Sequence, residues 1–246
     1  MIIDTHAHIT KEFFDNIDEI ISDSKENNIE KIIVPSVSLY KEEKNKYKDF
    51  LYFGEGLHPE NVSSDITKDD ILNVVSKNTI AIGECGLDYL KGKNKNLQIE
   101  IFKMHIEVAK EKNLPIIIHS RKALRDIFSI LSHYYGKNSK NSGVIHSAYG
   151  DFKILNEITK LGFFLSFNGI STFKNAEDIR EIIYKTDIKY ILAETDSPFL
   201  SPEPLRGIFP NKPINIKYII ENIKKIKNNK DTEKILYENS ISLFKI

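Results

Sequence analysis

Short apolar runs rich in Ile, Val, Leu and Phe alternate along the chain with longer segments in which apolar residues recur at helical spacing. A short run that is apolar at nearly every position is typical of a strand buried on both faces of a parallel sheet. The runs with this pattern cover residues 2–4, 31–36, 50–56, 79–84, 115–119, 143–146, 162–167 and 190–194. The pattern therefore predicts eight parallel strands.

The segments between these runs are predicted to be amphipathic crossover helices. Residues 16–28, 98–113 and 178–186 are examples, and in the second of these Ile101, Met104, Ile106 and Ala109 show helical spacing. Eight strand–helix units can close into a (β/α)8 barrel. A doubly wound open sheet is the alternative, but it would bind ligands at one switch point and leave most strand ends unused.

Polar residues follow nearly all eight runs, and this distribution favours the barrel. We therefore predict the α/β class, with a TIM barrel whose site lies at the carboxyl ends of the strands. The length of 246 residues is typical of one such barrel, so residues 1–246 are predicted to form a single domain. We expect a monomer.

The stretch 197–213 interrupts this alternation, since it contains five of the eight prolines. Proline removes a backbone donor and is excluded from helix interiors, so we predict a rigid loop at the rim after the last strand. Two helix-like segments, 214–227 and 231–244, then close the chain.

Composition and charge limit the partners and the compartment. Lys plus Arg and Asp plus Glu both number 35, so no overall field attracts nucleic acid or a membrane, and any polyanion must be bound locally. The single cysteine, Cys85, permits no intramolecular disulfide. The first thirty residues show neither a cationic start with an apolar run nor a cleavage signal, and no apolar stretch approaches the roughly 18 to 20 residues that span a bilayer. We expect a cytoplasmic protein without membrane association.

The strand ends carry residue types that bind metals. His6 and His8 point to the same side because side chains alternate in an extended chain, so they can bind one ion. Imidazoles mixed with carboxylates suit Zn, Mn, Ni or Fe, and a carboxylate between two ions can bridge them. Two ions would activate water. The strand-end residues are His6, His8, His58, Glu84, His119, His146, Asn168, Glu194 and Asp196.

Each of these residues alone has an ordinary structural explanation. Asp4 or Asp196, for example, could cap the helix or turn that follows. Five of the seven histidines nevertheless fall at strand ends, whereas His105 and His133 fall in helix-like segments. A barrel that buries so many ionisable groups at one mouth must compensate their charge, so the set as a whole predicts a metal centre.

Five sequence blocks resemble those of the TatD-family metal-dependent deoxyribonucleases. The pair of histidines alone is found in many amidohydrolases, but the Gly-Glu-Cys-Gly-Leu-Asp-Tyr and His-Ser-Arg blocks are more specific. The resemblance covers nearly the whole chain, in order. The blocks are Asp-Thr-His-Ala-His at 4–8, Gly-Leu-His-Pro at 56–59, Ile-Gly-Glu-Cys-Gly-Leu-Asp-Tyr at 82–89, Pro-Ile-Ile-Ile-His-Ser-Arg at 115–121 and Glu-Thr-Asp-Ser-Pro at 194–198.

The resemblance implies two divalent ions and a ligand set. One ion would be held by His6, His8, Glu84 and Asp196, and the other by Glu84, His119 and His146, so that Glu84 bridges them. Glu84 and Asp196 would be the catalytic residues, with Asp196 orienting or deprotonating the attacking water. The family commonly uses Mg, while four histidines fit Zn, Mn or Fe better, so the choice among Zn, Mn, Mg, Ni and Fe stays open.

The resemblance also implies a substrate, namely DNA cleaved at its phosphodiester bonds, often from the 3′ end of single strands. His58 does not match a ligand position but lies near the substrate, where it could donate to a phosphate oxygen. Arg121 and Arg206 could bind a phosphate through paired hydrogen bonds, with surface salt bridges as their alternative role.

The chain departs from the family in two places. Residues 147–150 read Ser-Ala-Tyr-Gly where the family usually has Cys-Phe-Ser-Gly. The segment after Arg206 and Gly207 also differs from the usual Asn-Glu-Pro pattern. Substrate handling is therefore open at both places, while the metal ligands are unaffected.

Three functions agree with the sequence. The first is a deoxyribonuclease acting on DNA ends. The second is a hydrolase of an amide, a lactone or a small phosphoester, because fold and metals fix the activated water but not the substrate. The third, a non-enzymatic binding protein on the same barrel, is disfavoured because Glu84, His119 and Asp196 are all retained.

Overall fold

Eight parallel strands form one sheet in the sequential order β1 to β8. The structure is a computed structural model that describes residues 1–39, 47, 49–137 and 139–246. The strands are β1 (Ile2–Asp4), β2 (Ile29–Pro35), β3 (Leu51–Glu55), β4 (Thr79–Asp88), β5 (Ile116–Arg121), β6 (Gly143–Ile145), β7 (Phe163–Phe167) and β8 (Ile191–Ala193).

Helices lie between most of these strands and pack against the sheet, and two more follow β8. They are α1 (Ile17–Glu26), α2 (Lys68–Val74), α3 (Lys95–Lys112), α4 (Leu124–Tyr134), α5 (Phe152–Lys160), α6 (Glu177–Lys185), α7 (Ile216–Lys227) and α8 (Thr232–Phe244). Local signals define several ends: Asn16 accepts a hydrogen bond from the Glu19 amide before α1, and Thr67 and Asp70 form a capping box at α2. In the described part of the chain, no helix is long and apolar enough to cross a membrane.

The first and last strands approach each other, so the sheet is a nearly closed barrel. The Thr5 amide donates to the Ala193 carbonyl at 3.3 Å, and the Asp196 amide donates to the His6 carbonyl at 2.9 Å. Ala7 and Ser197 form a parallel bridge just beyond the strand ends. The predicted (β/α)8 barrel is confirmed, and its closure brings the segment around His6 next to Asp196.

The interior of the barrel is apolar at one end and polar at the other. Ile117, Val144 and Leu192 belong to one buried cluster, together with Leu243 and Phe244 of α8. Each of these strand residues lies two positions before a polar residue, and residues two apart share a face of a strand. Helix α8 therefore covers the amino-terminal end of the strands, while their carboxyl ends carry the polar residues.

Two strands, β4 and β5, continue past the carboxyl ends that the sequence pattern predicts. The pairing of β4 with β5 continues past Glu84, with Gly86 opposite His119 and Asp88 opposite Arg121. The apolar run ends at Glu84, so the pattern could not reveal the polar extension. The extension places Asp88 beside the end of β5.

The proline-rich stretch 197–213 follows β8 as an irregular segment, as predicted. Buried Asn211 fixes its conformation, because its side-chain amide donates to the carbonyls of Thr195 and Phe199 at 3.1 and 2.7 Å. The segment is thus tied to the end of the last strand.

Candidate metal centre

Glu84 lies at the centre of the polar end of the barrel, and two glycines give its strand the required shape. The register between β4 and β5 shifts between Ile82 and Cys85. Gly83 and Gly86 both have φ of +139°, a backbone conformation that residues with a side chain rarely adopt. A Cβ at Gly86 would lie 2.1 Å from the His119 carbonyl oxygen. The glycines on either side of Glu84 and Cys85 therefore allow β4 to bulge while it stays against β5.

A first ligand group surrounds one carboxylate oxygen of Glu84. Its Oε2 lies 3.3 Å from His6 Nε2 and 3.8 Å from His8 Nε2. Asp196 Oδ1 lies 3.7 and 3.6 Å from the same two nitrogens, which are 3.3 Å apart. Four ligands at about 2.1 Å from a tetrahedral ion are about 3.4 Å from one another, so this donor set fits one divalent ion.

A second ligand group surrounds the other oxygen of the same carboxylate. Glu84 Oε1 lies 2.9 Å from His119 Nδ1 and 3.3 Å from His146 Nε2. His58 Nε2 is 3.7 Å from Oε1 and 3.3 Å from His119 Nδ1. The geometry thus adds His58 to the two histidines that the family resemblance implies. His58, Glu84 and His119 together could hold an ion.

Asp88 and Glu194, which we call the outer carboxylates, contact the ring nitrogens of His119 and His146 that face away from Glu84. Asp88 Oδ2 lies 3.0 Å from His119 Nε2, and Glu194 Oε1 lies 3.1 Å from His146 Nδ1. Such partners orient an imidazole and increase its basicity as a ligand. Sequence reasoning placed Glu194 at a strand end without a role. The Glu-Thr-Asp spacing was the available signal, because it puts Glu194 and Asp196 on one face.

Glu194 is completely buried among its hydrogen-bond donors. Its Oε1 also accepts from the Ser147 amide at 2.8 Å and from the Asn168 side chain at 3.3 Å. Asn168, the strand-end residue after β7, thus supports Glu194. Its side-chain amide also donates to the Ser147 hydroxyl at 2.9 Å.

The buried charges of the centre shift one another's pKa values. Burial opposes ionisation of Glu84, but the charges of His146 and His6 hold its pKa well below the usual range. Burial would also lower the pKa of His146, yet Glu194 and Glu84 raise it to about 10. In the metal-free protein a proton on His146 therefore compensates the carboxylates. A divalent ion would replace this proton with a larger positive charge.

The pKa values of both His58 and Asp196 are lowered, which leaves the first neutral and the second ionised. Burial and the neighbouring His119 and His146 lower the pKa of His58 to about 4, so its ring is neutral near pH 7. Burial would raise the pKa of Asp196, but the hydrogen bond to His8 and the nearby histidine charges lower it. Asp196 is therefore an ionised carboxylate.

The centre opens into a cavity of about 1450 Å³. His58 and Arg121, two of the residues predicted to contact substrate, line this cavity. Arg121 Nη1 lies 3.3 Å from Asp88 Oδ2, and its side chain is 39% exposed. Arg206 is placed elsewhere: its guanidinium lies 4.1 Å from the centroid of the Phe173 ring, and it does not line the cavity.

Comparisons with known proteins agree over the whole chain. The profile of the TatD related DNase family matches residues 3–245. The uncharacterized metal-dependent hydrolase YabD of Bacillus subtilis is 37% identical over 259 residues, covering 100% of both chains. An uncharacterized metal-dependent hydrolase of Methanocaldococcus jannaschii is 34% identical over 256 residues, covering 99% of this chain and 96% of its own.

A solved structure is similar over the same extent. The TatD homologue YjjV of Escherichia coli superposes with a TM-score of 0.88 and 25% identity, covering 100% of this chain and 98% of its own. The match of the family profile and the identity to its relatives extend through every strand that carries a ligand residue. The chain therefore belongs to the family of TatD related DNases.

Proposed function

We propose that the protein is a metal-dependent hydrolase that cleaves phosphodiester bonds of DNA, releasing nucleotides from the 3′ ends of single strands. His6, His8, Glu84 and Asp196 would hold one divalent ion. Glu84, His119 and His146 would hold the second. Zn, Mn, Mg, Ni and Fe are the candidate ions.

The arrangement of Glu84 is the observation that carries this proposal. Its two oxygens face two different groups of imidazole nitrogens, with His6 nearest to Oε2 and His119 nearest to Oε1. A carboxylate shared in this way suits a pair of ions rather than one. Ions bound there would supply Lewis acidity to a phosphate and lower the pKa of water.

The chain's own residues supply proton transfer and orientation. Asp196 is ionised and lies on the cavity wall, so it can orient a water molecule and accept its proton. Neutral His58 can donate a hydrogen bond to a phosphate oxygen or act as a further ligand. Asp88 and Glu194 hold His119 and His146 in position through the far ring nitrogens.

Cations near the second ligand group support a phosphate substrate. Arg121, Lys122 and Arg125 line the cavity. They lie within six residues after His119 in the chain, so negative phosphates next to the centre would meet local positive charge despite a net charge of zero. We assign a substrate-binding role to Arg121 and His58. Arg206, packed on Phe173, would reach a longer strand only outside the cavity.

A different feature of the cavity favours a second candidate function. Acidic side chains outside the ligand groups also line it, and they would repel a long polyanion. A hydrolase of an amide, a lactone or a small phosphoester would tolerate them, because its substrate carries less charge. These acidic residues are Glu12, Glu60, Asp126 and Asp151.

The test combines metal analysis with activity. Wild-type protein, Glu84→Gln, Asp196→Asn and the surface variant Glu221→Gln would be loaded with Mn or Zn. Each would be assayed for bound metal and for nucleotide release from 3′-labelled single-stranded DNA. We expect two ions per chain and release by the wild type and Glu221→Gln, with loss of release in both centre variants.

Two ions without release from DNA would contradict the nuclease proposal. Hydrolysis of a lactone, an amide or a small phosphoester by the same preparation would then support the second candidate. One ion per chain in the wild type would contradict the bridging role of Glu84.

A further inference from the structure

Three phenylalanine rings form a row that begins at His8 of the first ligand group; Phe13 and Phe199 line the cavity, and Phe209 lies beyond Phe199. The Phe199 ring centroid is 6.2 Å from that of His8 and 5.5 Å from that of Phe13. The Phe209 ring follows at 6.4 Å from Phe199. We call these three residues the aromatic wall.

Two members of this wall are unusually exposed for large apolar side chains. The exposed fraction is 41% for Phe199 and 63% for Phe209. The rings of His8 and Phe13 meet Phe199 at interplanar angles of 66° and 73°, so neither lies parallel over its face. Exposed aromatic rings grouped beside a functional centre typically mark a contact surface for a ligand.

The backbone holds Phe199 in a fixed position relative to the ligand residues. Its amide donates to the carbonyl of Asp196 at 2.8 Å, and its carbonyl accepts from Asn211 at 2.7 Å. Asn211 is itself completely buried and also donates to Thr195. The ring is thus built on the same tightly bonded segment that carries Asp196, and its placement is pre-organised.

The remainder of the cavity shows which ligand would occupy the wall. Phe13 and Phe199 line the cavity beside His8 of the first ligand group, whereas Arg121, Lys122 and Arg125 line it after His119 of the second. A molecule spanning the centre would therefore meet the exposed Phe199 ring at one end and, at the other, these cationic side chains interspersed with the carboxylates of Glu60 and Asp126. A nucleotide has this character, since its base has an apolar face and its phosphate is anionic.

We propose that the aromatic wall is a base-binding subsite, in which the Phe199 ring stacks on a nucleobase of the substrate strand next to the scissile phosphate. This proposal rests on the proposed nuclease function and adds the element that selects strands with an unpaired base. Aromatic stacking accepts every base, so the subsite would give preference for single-stranded ends without sequence preference.

The experiment compares two oligonucleotides that differ only in the presence of bases. One carries ordinary nucleotides at its 3′ end, and the other carries abasic tetrahydrofuran residues at the same positions. Metal-loaded wild type, Phe199→Leu, Phe199→Tyr and Tyr184→Leu would be assayed on both. Tyr184 is a matched control, because it is an exposed aromatic residue on α6 that does not line the cavity.

Loss of the ring should raise KM for the base-bearing strand about tenfold or more and leave KM for the abasic strand within about twofold. Phe199→Tyr should restore the wild-type preference, and Tyr184→Leu should not change it. Equal changes on both strands, or no change on either, would overturn the base-binding role while leaving the nuclease proposal standing.

Binding without cleavage separates this inference from the nuclease proposal. A 3′-terminal 2-aminopurine on a strand with a hydrolysis-resistant terminal linkage loses fluorescence when it stacks on an aromatic ring. Quenching by the wild type and Phe199→Tyr, but not by Phe199→Leu, supports the subsite even if no variant releases nucleotides. Quenching that is absent, or that is equal in Phe199→Leu, overturns it.

Discussion

Replacing Glu194 with glutamine isolates the charge of one outer carboxylate from its packing. The Glu194 side chain is completely buried, and its Oε1 accepts from His146, Ser147 and Asn168. Glutamine has nearly the same shape, and its carbonyl oxygen can accept the same three hydrogen bonds. The substitution therefore removes a negative charge while it keeps the three hydrogen bonds to Oε1.

The magnitude follows from the position of the charge. An ion on His146 Nε2 would lie about 6 Å from Glu194 and would replace the proton on His146, so the net gain is one unit of positive charge, worth about 3 kcal/mol at an effective dielectric constant of about 20. This value corresponds to about 100-fold in affinity, at the upper end of the 10- to 100-fold usual for partners of metal ligands. We expect Glu194→Gln to bind the ion of the second ligand group about 10- to 100-fold more weakly.

The assay is competition with a chelator of known affinity, followed by metal analysis of the recovered protein. Far-ultraviolet circular dichroism would establish that the variant is folded, and Glu221→Gln on the surface of α7 is the matched charge control. One of two ions should be lost at a lower chelator concentration. Identical competition curves for wild type and Glu194→Gln would refute the reasoning, because the charge of the outer carboxylate would then contribute nothing to metal binding.

Three further predictions concern the supports of the site. Burial lowers the pKa of His105 to about 4. The contribution of its neutral ring to stability is therefore complete above pH 6.5 and is lost as the pH falls through 4. In chemical denaturation at several pH values, His105→Gln should lose less stability than the wild type between pH 6.5 and 4. Gly86→Ala places a Cβ 2.1 Å from a carbonyl oxygen at φ +139°, and should lower Tm and metal content, whereas Gly136→Ala meets nothing within 4 Å and should change neither. Arg121→Ala should raise KM for DNA more than Arg206→Ala does in steady-state assays, because Arg121 lines the cavity and Arg206 does not. Equal effects would contradict the assignment of phosphate binding to the cavity alone.

The sequence was sufficient to predict the barrel and the residues at its polar end. Apolar runs ending in His or Glu mark the carboxyl ends of strands, and parallel strands bring those ends to one face. The structure accordingly collects His6, Glu84 and His119 within a few ångströms, with His6 and His119 each close to one oxygen of Glu84. This part was predictable because it depends on strand order and the alternation of side chains.

The position of Glu84, with one carboxylate oxygen facing each ligand group, was not predictable from the hydrophobic periodicity. It depends on the bulge between Ile82 and Cys85 and on glycines with positive φ, neither of which changes the hydrophobic pattern. Nor could the pattern reveal the extension of β4 that brings Asp88 to His119. Both features arise from backbone geometry and from pairing with β5.

Tertiary contacts account for the residues whose roles the sequence left open. His105 falls in a helix-like segment, so the sequence did not connect it with the site. In the structure its Nε2 accepts from the Leu57 amide at 3.0 Å and its Nδ1 donates to the Ile101 carbonyl at 2.8 Å. It thereby fixes the loop that carries His58. Arg206 illustrates the opposite case, since its contact with Phe173 could not be foreseen from its place in a proline-rich segment.

The polarity of the barrel interior explains how one chain can bury so many charged groups. Glu84, Glu194 and Asp196 are surrounded by histidines, and removing such charges from water is costly unless they are paired. The opposite end of the barrel holds a buried apolar cluster that includes Phe244 and Leu243 of α8, and its burial stabilises the fold. The cost of the centre is then reduced further when divalent ions bind, because a ligand that binds only the folded state stabilises it. Stability and metal binding should therefore be coupled through Glu84, whose two oxygens face the two ligand groups.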